Sequence, residues 1–235
     1  MALCAFDWSA TWVENFHEQL TLTTYWCITN TEIVSHLNLK KKGRWPLKTI
    51  ACFGSGSGAP GDAMYDAMLE VGRLLATLGY RVATGGFGGS GMEAPARGAR
   101  VVGGTAIGYT MLGKKPNAFI TAEVDCSRIP YLTIPPEMQY GIRLGRLLEA
   151  DGFIIAANGG PGTMVELLAI INLNYKFPAW KANPKRFTLL NPSYGVGWDA
   201  KMGDQLSELG VFPREILPLY IISRTPQEAV DWVCQ

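Results

Sequence analysis

An acidic residue, Glu166, lies just behind a glycine-rich turn in the stretch NGGPGTMVE (158–166). The apolar run GFIIAA (152–157) precedes the turn and an apolar helical pattern follows it, so the turn joins a strand to a helix. Backbone N–H groups that open a helix bind anions, and glycines let a phosphate approach closely. We expect this turn to hold a phosphate; the alternative is a tight turn without a ligand. The residues concerned are Gly159, Gly160, Pro161, Gly162 and Thr163.

Glu166 has two possible roles. With Thr163 it forms the pattern T-x-x-E, which is typical of a capping box whose side chains satisfy N–H groups of the first helical turn. Alternatively it acts on a ligand, and as a first-turn carboxylate it is expected to stay ionised at neutral pH. Such a group stabilises a developing cation or orients a water, and glycosidic cleavage passes through an oxocarbenium-like state that it would favour.

Two arginines, Arg143 and Arg146, lie one turn apart on the predicted helix before that strand. In one interpretation both are solvated and one pairs with Glu149. In the other, one of them reaches over the sheet edge to a phosphate or a sugar. The sequence does not tell which arginine points inward.

Strands and helices alternate from Leu47 onward. Short, continuous apolar strands separated by helices indicate an α/β fold, a Rossmann-like doubly wound parallel sheet with helices on both faces. Strands are predicted at 48–54, 81–86, 105–110, 118–124, 152–157, 186–191 and 219–223. Helices are predicted at 59–79, 91–104, 135–151 and 163–176, around 198–209, and after Thr225.

Three glycine-rich turns, at 54–61, 85–92 and 158–163, follow predicted strands. In a doubly wound sheet, ligands bind at the carboxyl ends of the strands, near the point where the strand order reverses. We therefore expect the three turns to converge on one ligand. The candidate binding residues of the first two turns are Gly54, Ser55, Gly56, Gly86, Gly88, Gly89 and Met92.

The first 46 residues differ from the rest of the 235-residue chain. They hold both histidines and four tryptophans, and they end in the basic stretch LKKKGRWP (39–46). We interpret residues 1–46 as an N-terminal appendage to a single domain, 47–235. Alternatively the appendage is not native, and translation begins at Leu47 through a non-AUG codon.

Composition excludes several classes of partner. The formal net charge is +1, so nucleic acid is not an expected partner. The five cysteines are far apart and form no CxxC pair, which favours reduced thiols in a cytoplasm. No apolar run is long enough to span a membrane, and the first residues lack the basic start of a signal peptide. We expect a cytoplasmic protein that does not bind a membrane.

Several kinds of active site are also excluded. Both histidines, His17 and His36, precede the α/β domain, so the domain has no Ser-His-Asp triad, Cys-His pair or histidine-rich metal site. The phosphate-binding motif G-x-x-x-x-G-K-[ST] is absent. We expect neither a metal nor a cofactor.

These motifs resemble the Lonely-Guy family, whose members are often labelled lysine decarboxylase-like. The resemblance covers most of residues 48–233 and is carried by CFGSGSG (52–58), GYRVATGGFGGSGMEAPARGA (79–99) and GGPGTMVEL (159–167), with FTLLNPSYG and GVFPREILPLYIISRTPQEAV downstream. No lysine is placed as an anchor for pyridoxal phosphate, so the sequence does not support a decarboxylase.

The resemblance implies a homodimer that binds a small nucleotide and cleaves the N-glycosidic bond of a nucleoside 5′-monophosphate without a metal. AMP or a cytokinin riboside monophosphate would give the free base and ribose 5-phosphate. The glycines of the 158–163 turn and Thr163 would hold the 5′-phosphate. Glu166 would be the catalytic carboxylate and Arg143 the catalytic arginine.

Two departures from the family pattern leave alternatives open. Asn158 stands where the family has proline, and the motif M-H-x-R-K is altered to MQYGIRLGR (138–146). When the chain is aligned with the family motif without a gap, Ile142 occupies the position of the catalytic arginine. A one-residue deletion between Arg146 and Asp151 places Arg143 there instead, and we favour this second alignment. The alternative function is a non-catalytic nucleotide or molybdenum-cofactor carrier. A third is a nucleotide sensor that contacts a partner through residues 1–46.

Overall fold

The computed structural model describes residues 48–129, 132–193, 197–198 and 213–235. These residues belong to one compact unit, 46–235. The predicted appendage lies outside the described residues, as does the predicted helix around 198–209 beyond Trp198. No helix in the described ranges is both long enough and apolar enough to cross a membrane.

The described strands form a large parallel sheet and a small hairpin. They are β1 (Thr49–Phe53), β2 (Arg81–Thr84), β3 (Ala106–Thr110), β4 (Ala122–Asp125), β5 (Arg128–Ile129), β6 (Leu132–Thr133), β7 (Gly152–Ala156), β8 (Phe187–Leu190) and β9 (Tyr220–Ser223). Seven of them pair in parallel in the order β4-β3-β2-β1-β7-β8-β9. Strands β5 and β6 form an antiparallel hairpin that the sequence analysis missed.

Helices cover both faces of the sheet. They are α1 (Ala63–Thr77), α2 (Glu93–Val101), α3 (Pro136–Leu147), α4 (Pro161–Lys176), α5 (Pro178–Ala182) and α6 (Pro226–Val233). Residues of α1, α2 and α6 share one hydrophobic cluster with the sheet, and residues of α3 and α4 share a second one. The predicted Rossmann-like α/β fold is confirmed.

The central strands are apolar throughout because both of their faces are covered. In β1, Ile50 and Cys52 belong to the first cluster, whereas Ala51 and Phe53 belong to the second. Successive side chains of a strand point to opposite faces of the sheet. A continuous apolar run is therefore the pattern of a strand buried between two helical layers.

The chain order creates a crevice at the middle of the sheet. Within the sheet, β2, β3 and β4 are added in turn to one side of β1, and β7 lies on the other side of β1. The strand order reverses between β1 and β7, and ligands bind outside the carboxyl ends of the strands at such a point. The turns after β1, β2 and β7 are the three glycine-rich turns.

Candidate functional site

A cavity of about 330 Å³ opens at the carboxyl ends of the central strands. Its walls come from the turns after β1, β2, β3 and β7 and from helices α3 and α4. The residues that line it are Gly54, Gly56, Phe87, Met92, Met111, Lys114, Tyr140, Arg143, Gly160, Gly162, Thr163 and Glu166. Eight of these were predicted as site residues, including both proposed catalytic side chains.

The N-terminus of α4 presents backbone amides at the cavity. The helix begins at Pro161, with Gly160 at the N-cap, and no side chain caps it. Proline has no N–H, so Gly162 and Thr163 contribute the first amides of the helix. The capping-box interpretation of Thr163 and Glu166 is wrong, because the helix starts earlier than predicted and Thr163 is already its third residue.

Glu166 lies in the second turn of α4 with only 8% of its surface exposed. Burial raises the pKa of this carboxyl from 4.5 to about 7, while the positive charge of Arg143 acts in the lowering direction. The expectation of a fully ionised first-turn carboxylate is therefore wrong. Loss of hydration penalises the charged form more than the neighbouring arginine favours it.

Arg143 is 7% exposed and its guanidinium is held at the edge of the cavity. Its Nε donates a hydrogen bond to the backbone carbonyl of Tyr109, at the end of β3, at 2.8 Å. The guanidinium carbon lies 5.5 Å from the ring centroid of Phe87. A Cβ on Gly85 would overlap Nη2 of Arg143, so the glycine makes room for the guanidinium.

The altered arginine motif therefore places Arg143 in the cavity, and Ile142 is not among the residues that line it. This agrees with the alignment to the Lonely-Guy pattern that assumes a one-residue deletion before Asp151 and places Arg143 at the family's arginine. Arg146 lies outside the cavity as well. Its Nη1 donates to Oε1 of Glu149 at 3.0 Å on the surface, which is the pairing considered as the alternative.

Some predicted glycines shape the turns instead of lining the cavity. Gly89 has a φ of 89°, and a Cβ there would overlap the backbone of Gly56. Gly86 has a φ of 75° and packs against the backbone of Gly108. These contacts hold the second turn against the first turn and against β3. The predicted residues that do not line the cavity are Ser55, Gly86, Gly88, Gly89, Arg146, Gly159 and Pro161.

Asn158, at the position of the family's proline, connects two of the turns. Its Nδ2 donates a hydrogen bond to Oγ of Ser90, in the second turn, at 2.8 Å. A proline side chain cannot make this contact. The departure from the family pattern thus has a structural use in this chain, because it ties the turn before α4 to the turn before α2.

Four lining residues were missed by the sequence analysis: Phe87, Met111, Lys114 and Tyr140. Met111 and Lys114 come shortly after β3. A strand was predicted there, and residues that follow a strand of a parallel sheet lie at the edge where ligands bind, so the sequence could have indicated both residues. Tyr140 lies three residues before Arg143 on α3, a spacing that places two side chains on one helix face. Among the described residues, no group of three or more His, Cys, Asp or Glu side chains could hold a metal ion.

A sequence model of the SLOG cluster4 family matches residues 47–179, which is more than half of the chain. The chain belongs to the SLOG cluster4 family. This membership supports the broader group to which the Lonely-Guy resemblance pointed, but not the particular Lonely-Guy activity. No curated protein sequence matches the chain.

Solved structures show the same fold at low sequence identity. The molybdenum cofactor carrier protein of Chlamydomonas reinhardtii is 20% identical, with a TM-score of 0.52 over 81% of this chain and 98% of its own. The molybdenum cofactor binding protein of Rippkaea orientalis is 20% identical, with a TM-score of 0.55 over 81% and 98%. DNA processing protein A of Helicobacter pylori, which binds single-stranded DNA, is 13% identical, with a TM-score of 0.51 over 78% and 79%.

These neighbours share a fold and differ in ligand. Fold alone does not assign an activity, which depends on the residues of the site. Membership of the SLOG cluster4 family is compatible both with catalysis and with binding alone.

Proposed function

We propose that this protein hydrolyses the N-glycosidic bond of a nucleoside 5′-monophosphate, such as AMP or a cytokinin riboside monophosphate, to the free base and ribose 5-phosphate. One observation carries the proposal. Buried Glu166 and buried Arg143 line the same cavity as the uncapped N-terminus of α4. A helix N-terminus, a cation and a carboxylate of shifted pKa thus line one cavity, a combination typical of functional sites.

The phosphate would bind at the N-terminus of α4. The amides of Gly162 and Thr163 are available because Gly160 has no side chain to cap the helix. The positive end of the helix dipole adds to their attraction for an anion. Tyr140 lies at the rim of this part of the cavity. Its hydroxyl is 3.9 Å from the position that a Cβ would take at Gly162.

Arg143 would orient the sugar. A guanidinium has five N–H donors and no acceptor. In Arg143, Nε donates to the Tyr109 carbonyl and Nη2 donates to Sδ of Met92 at 3.7 Å, which leaves the other donors for a ligand. Contact with Phe87 and the Tyr109 carbonyl fixes the plane of the group before a ligand binds. A fixed donor set can bind ribose hydroxyls without the cost of ordering a long side chain.

Glu166 would act in its ionised form. The carboxylate stabilises positive charge on the ribose as the bond between C1′ and the base nitrogen breaks. It accepts a proton from the water whose oxygen bonds to C1′, and it passes that proton to the departing base nitrogen. A pKa of about 7 suits both transfers near neutral pH, because both protonation states are accessible.

The test is release of ribose 5-phosphate from AMP and other nucleoside monophosphates. We expect Glu166→Gln and Arg143→Gln each to lower kcat/KM by at least about a hundredfold. Arg146→Gln is the matched control, since it removes an arginine from the same helix outside the cavity, and its activity should equal that of the unmodified protein. Full activity in Glu166→Gln would refute the mechanism, and no release from any monophosphate would refute the function.

A second candidate is a carrier that binds a nucleotide or molybdenum cofactor without converting it. It is favoured by an apolar wall made of Phe87, Met92 and Met111, which can pack against a planar heterocycle. Two of the structural neighbours also carry or bind molybdenum cofactor. Retention of a bound nucleotide without release of ribose 5-phosphate would favour this function.

We further propose that the protein is a homodimer that contacts its partner through α4. Val165 and Leu168 on this helix are 44% and 40% exposed, and they are three residues apart in the chain. This spacing puts the two apolar side chains side by side on one helix face. The same helix carries Glu166, so the interface would adjoin the cavity.

A further inference from the structure

Lys114 is the second cation of the cavity, and neither the proposed phosphate site nor the proposed catalytic step uses it. It lies in the turn after β3, lines the cavity, and places its Nζ 5.4 Å from the ring centroid of Phe87. Within the described part of the chain it makes no ion pair or hydrogen bond. Its three N–H donors are therefore available to a ligand.

Lys114 and the proposed phosphate site follow strands that are not neighbours in the sheet. In the sheet, β3 and β7 are separated by β2 and β1, so the turns that follow them start roughly 14 Å apart. The amides of α4 follow β7, whereas Lys114 and Met111 follow β3 and Phe87 follows β2. A nucleotide with its phosphate on α4 would extend along the cavity toward the side of Phe87, Met111 and Lys114.

We propose that Lys114 binds the edge of the base that carries O6 and N7, so that 6-oxopurine nucleoside 5′-monophosphates (IMP and GMP) are preferred to AMP. The proposal rests on the proposed function for the choice of a nucleoside monophosphate. A 6-oxopurine presents two adjacent acceptors, O6 and N7, to an ammonium group that has only donors. Adenine presents N7 beside an amino group, which is itself a donor and gives the lysine no second acceptor.

The test compares kcat/KM for IMP, GMP and AMP in the unmodified protein and in Lys114→Gln. We expect IMP and GMP to exceed AMP by on the order of tenfold. Glutamine has both a donor and an acceptor, so it can pair with either kind of base edge. In Lys114→Gln the ratio of kcat/KM for IMP or GMP to kcat/KM for AMP should therefore fall to about two or less, because only the activity on IMP and GMP decreases. Lys115→Gln, at the exposed neighbour outside the cavity, should keep the original ratio.

Other outcomes overturn the proposal. An equal loss on all three nucleotides would mean that Lys114 binds the phosphate. An unchanged ratio, or a preference of the unmodified protein for AMP, would mean that Lys114 does not select the base. Because Lys114 is exposed, its variants should fold, and thermal melting of each variant checks this.

Calorimetric titration of IMP and AMP separates this proposal from the proposed function. If no nucleotide is hydrolysed but IMP binds more tightly than AMP in a manner that Lys114→Gln abolishes, the hydrolase fails and the base recognition stands. If nucleotides are hydrolysed but IMP and AMP react and bind equally well, the proposed hydrolase function stands and the proposed base recognition by Lys114 fails. Absence of binding by either nucleotide overturns both.

Discussion

At the scale of single residues, the properties of Glu166 come from its surroundings. The carboxyl is almost fully buried, and the positive charge of the nearby Arg143 favours its charged form. Its pKa is nevertheless raised to about 7, because burial is the largest influence. The charge state of Glu166 therefore responds to pH in the neutral range.

We predict that Glu166 makes the folded protein less stable at pH 8 than at pH 5. Its folded pKa of about 7 exceeds the ordinary 4.5, so the folded state holds a proton that the unfolded chain releases between these values. Protonated Glu166 contributes its full stabilisation of the folded state below the unfolded pKa. This stabilisation is lost as the pH rises through 7, which lowers the free energy of unfolding by up to about 3 kcal/mol. Urea denaturation at both pH values measures it.

Glu166→Gln is the control for that measurement. Other titrating groups contribute equally to the two proteins, so subtracting their free energies of unfolding isolates Glu166. The variant should lose less stability between pH 5 and pH 8 than the unmodified protein does. Identical pH dependence would show that the carboxyl has an ordinary pKa.

The same pKa predicts the pH dependence of activity. Because the ionised carboxylate accepts the proton of water, kcat/KM should rise with pH and level off above an apparent pKa near 7. A rate profile from pH 5 to pH 9 checks this. A rate that falls over this range would mean that the protonated form of Glu166 is the active one.

Gly85 provides a test of the position of Arg143. In Gly85→Ala the added methyl group would overlap Nη2 of Arg143 and Sδ of Met92, so the flexible ends of these two side chains should move away. We expect kcat/KM to fall by at least about tenfold while the fold is kept. Gly145→Ala, at an open position on α3, should instead raise the free energy of unfolding by roughly 0.5–1 kcal/mol with unchanged activity.

At the scale of elements, the start of α4 lacks the side-chain cap that would stabilise the helix. Gly160 occupies the N-cap with open space around it, where serine or aspartate would stabilise the helix. An uncapped start keeps the amides of Gly162 and Thr163 free. Residues of the turns at the ends of β1 and β2 line the same cavity, and the hydrogen bond from Asn158 to Ser90 holds two turns together.

We predict that Gly160→Asp weakens nucleotide binding without destabilising the protein. An aspartate at the N-cap accepts hydrogen bonds from the amides and occupies the anion site, so affinity for AMP or IMP should fall at least about tenfold. The helix should gain a few tenths of a kcal/mol. Gly160→Asn caps the same amides but carries no charge, so it should lose less affinity than Gly160→Asp, which also repels the phosphate. Equal losses in the two variants would argue against an anion at this site.

At the scale of the whole molecule, α4 connects the cavity to a surface. One face of the helix carries Glu166 and Thr163 into the cavity, and another exposes Val165 and Leu168. Exposed apolar side chains that adjoin on one helix face are typical of an interface. An interface at this position would link assembly of the protein to the state of its site.

We predict that the protein is a dimer and that Leu168→Lys converts it to a monomer. A charged side chain at the centre of an apolar interface is costly to bury, so association should be lost. Light scattering after size exclusion measures the mass. Val101→Lys, at a residue 71% exposed on α2, should leave the mass unchanged. A monomeric unmodified protein would contradict the prediction.

The sequence by itself determined the fold class and most of the elements. Runs such as TIACF and GFIIA encode buried strands locally, and the glycine-rich turns at 54–61 and 158–163 show where the chain turns tightly after them. It also determined that Glu166 follows such a turn. These features depend on residues close together in the chain, where periodicity and turn chemistry act.

Only the tertiary structure decided which arginine faces the cavity and how strongly Glu166 is desolvated. Arg143 is oriented by Gly85, Phe87 and the carbonyl of Tyr109, all of them distant in sequence. The start of α4 at Pro161, ahead of the predicted cap, likewise removed the capping box. Burial and hydrogen bonding at a site depend on segments that meet only after folding, so a local pattern does not contain them.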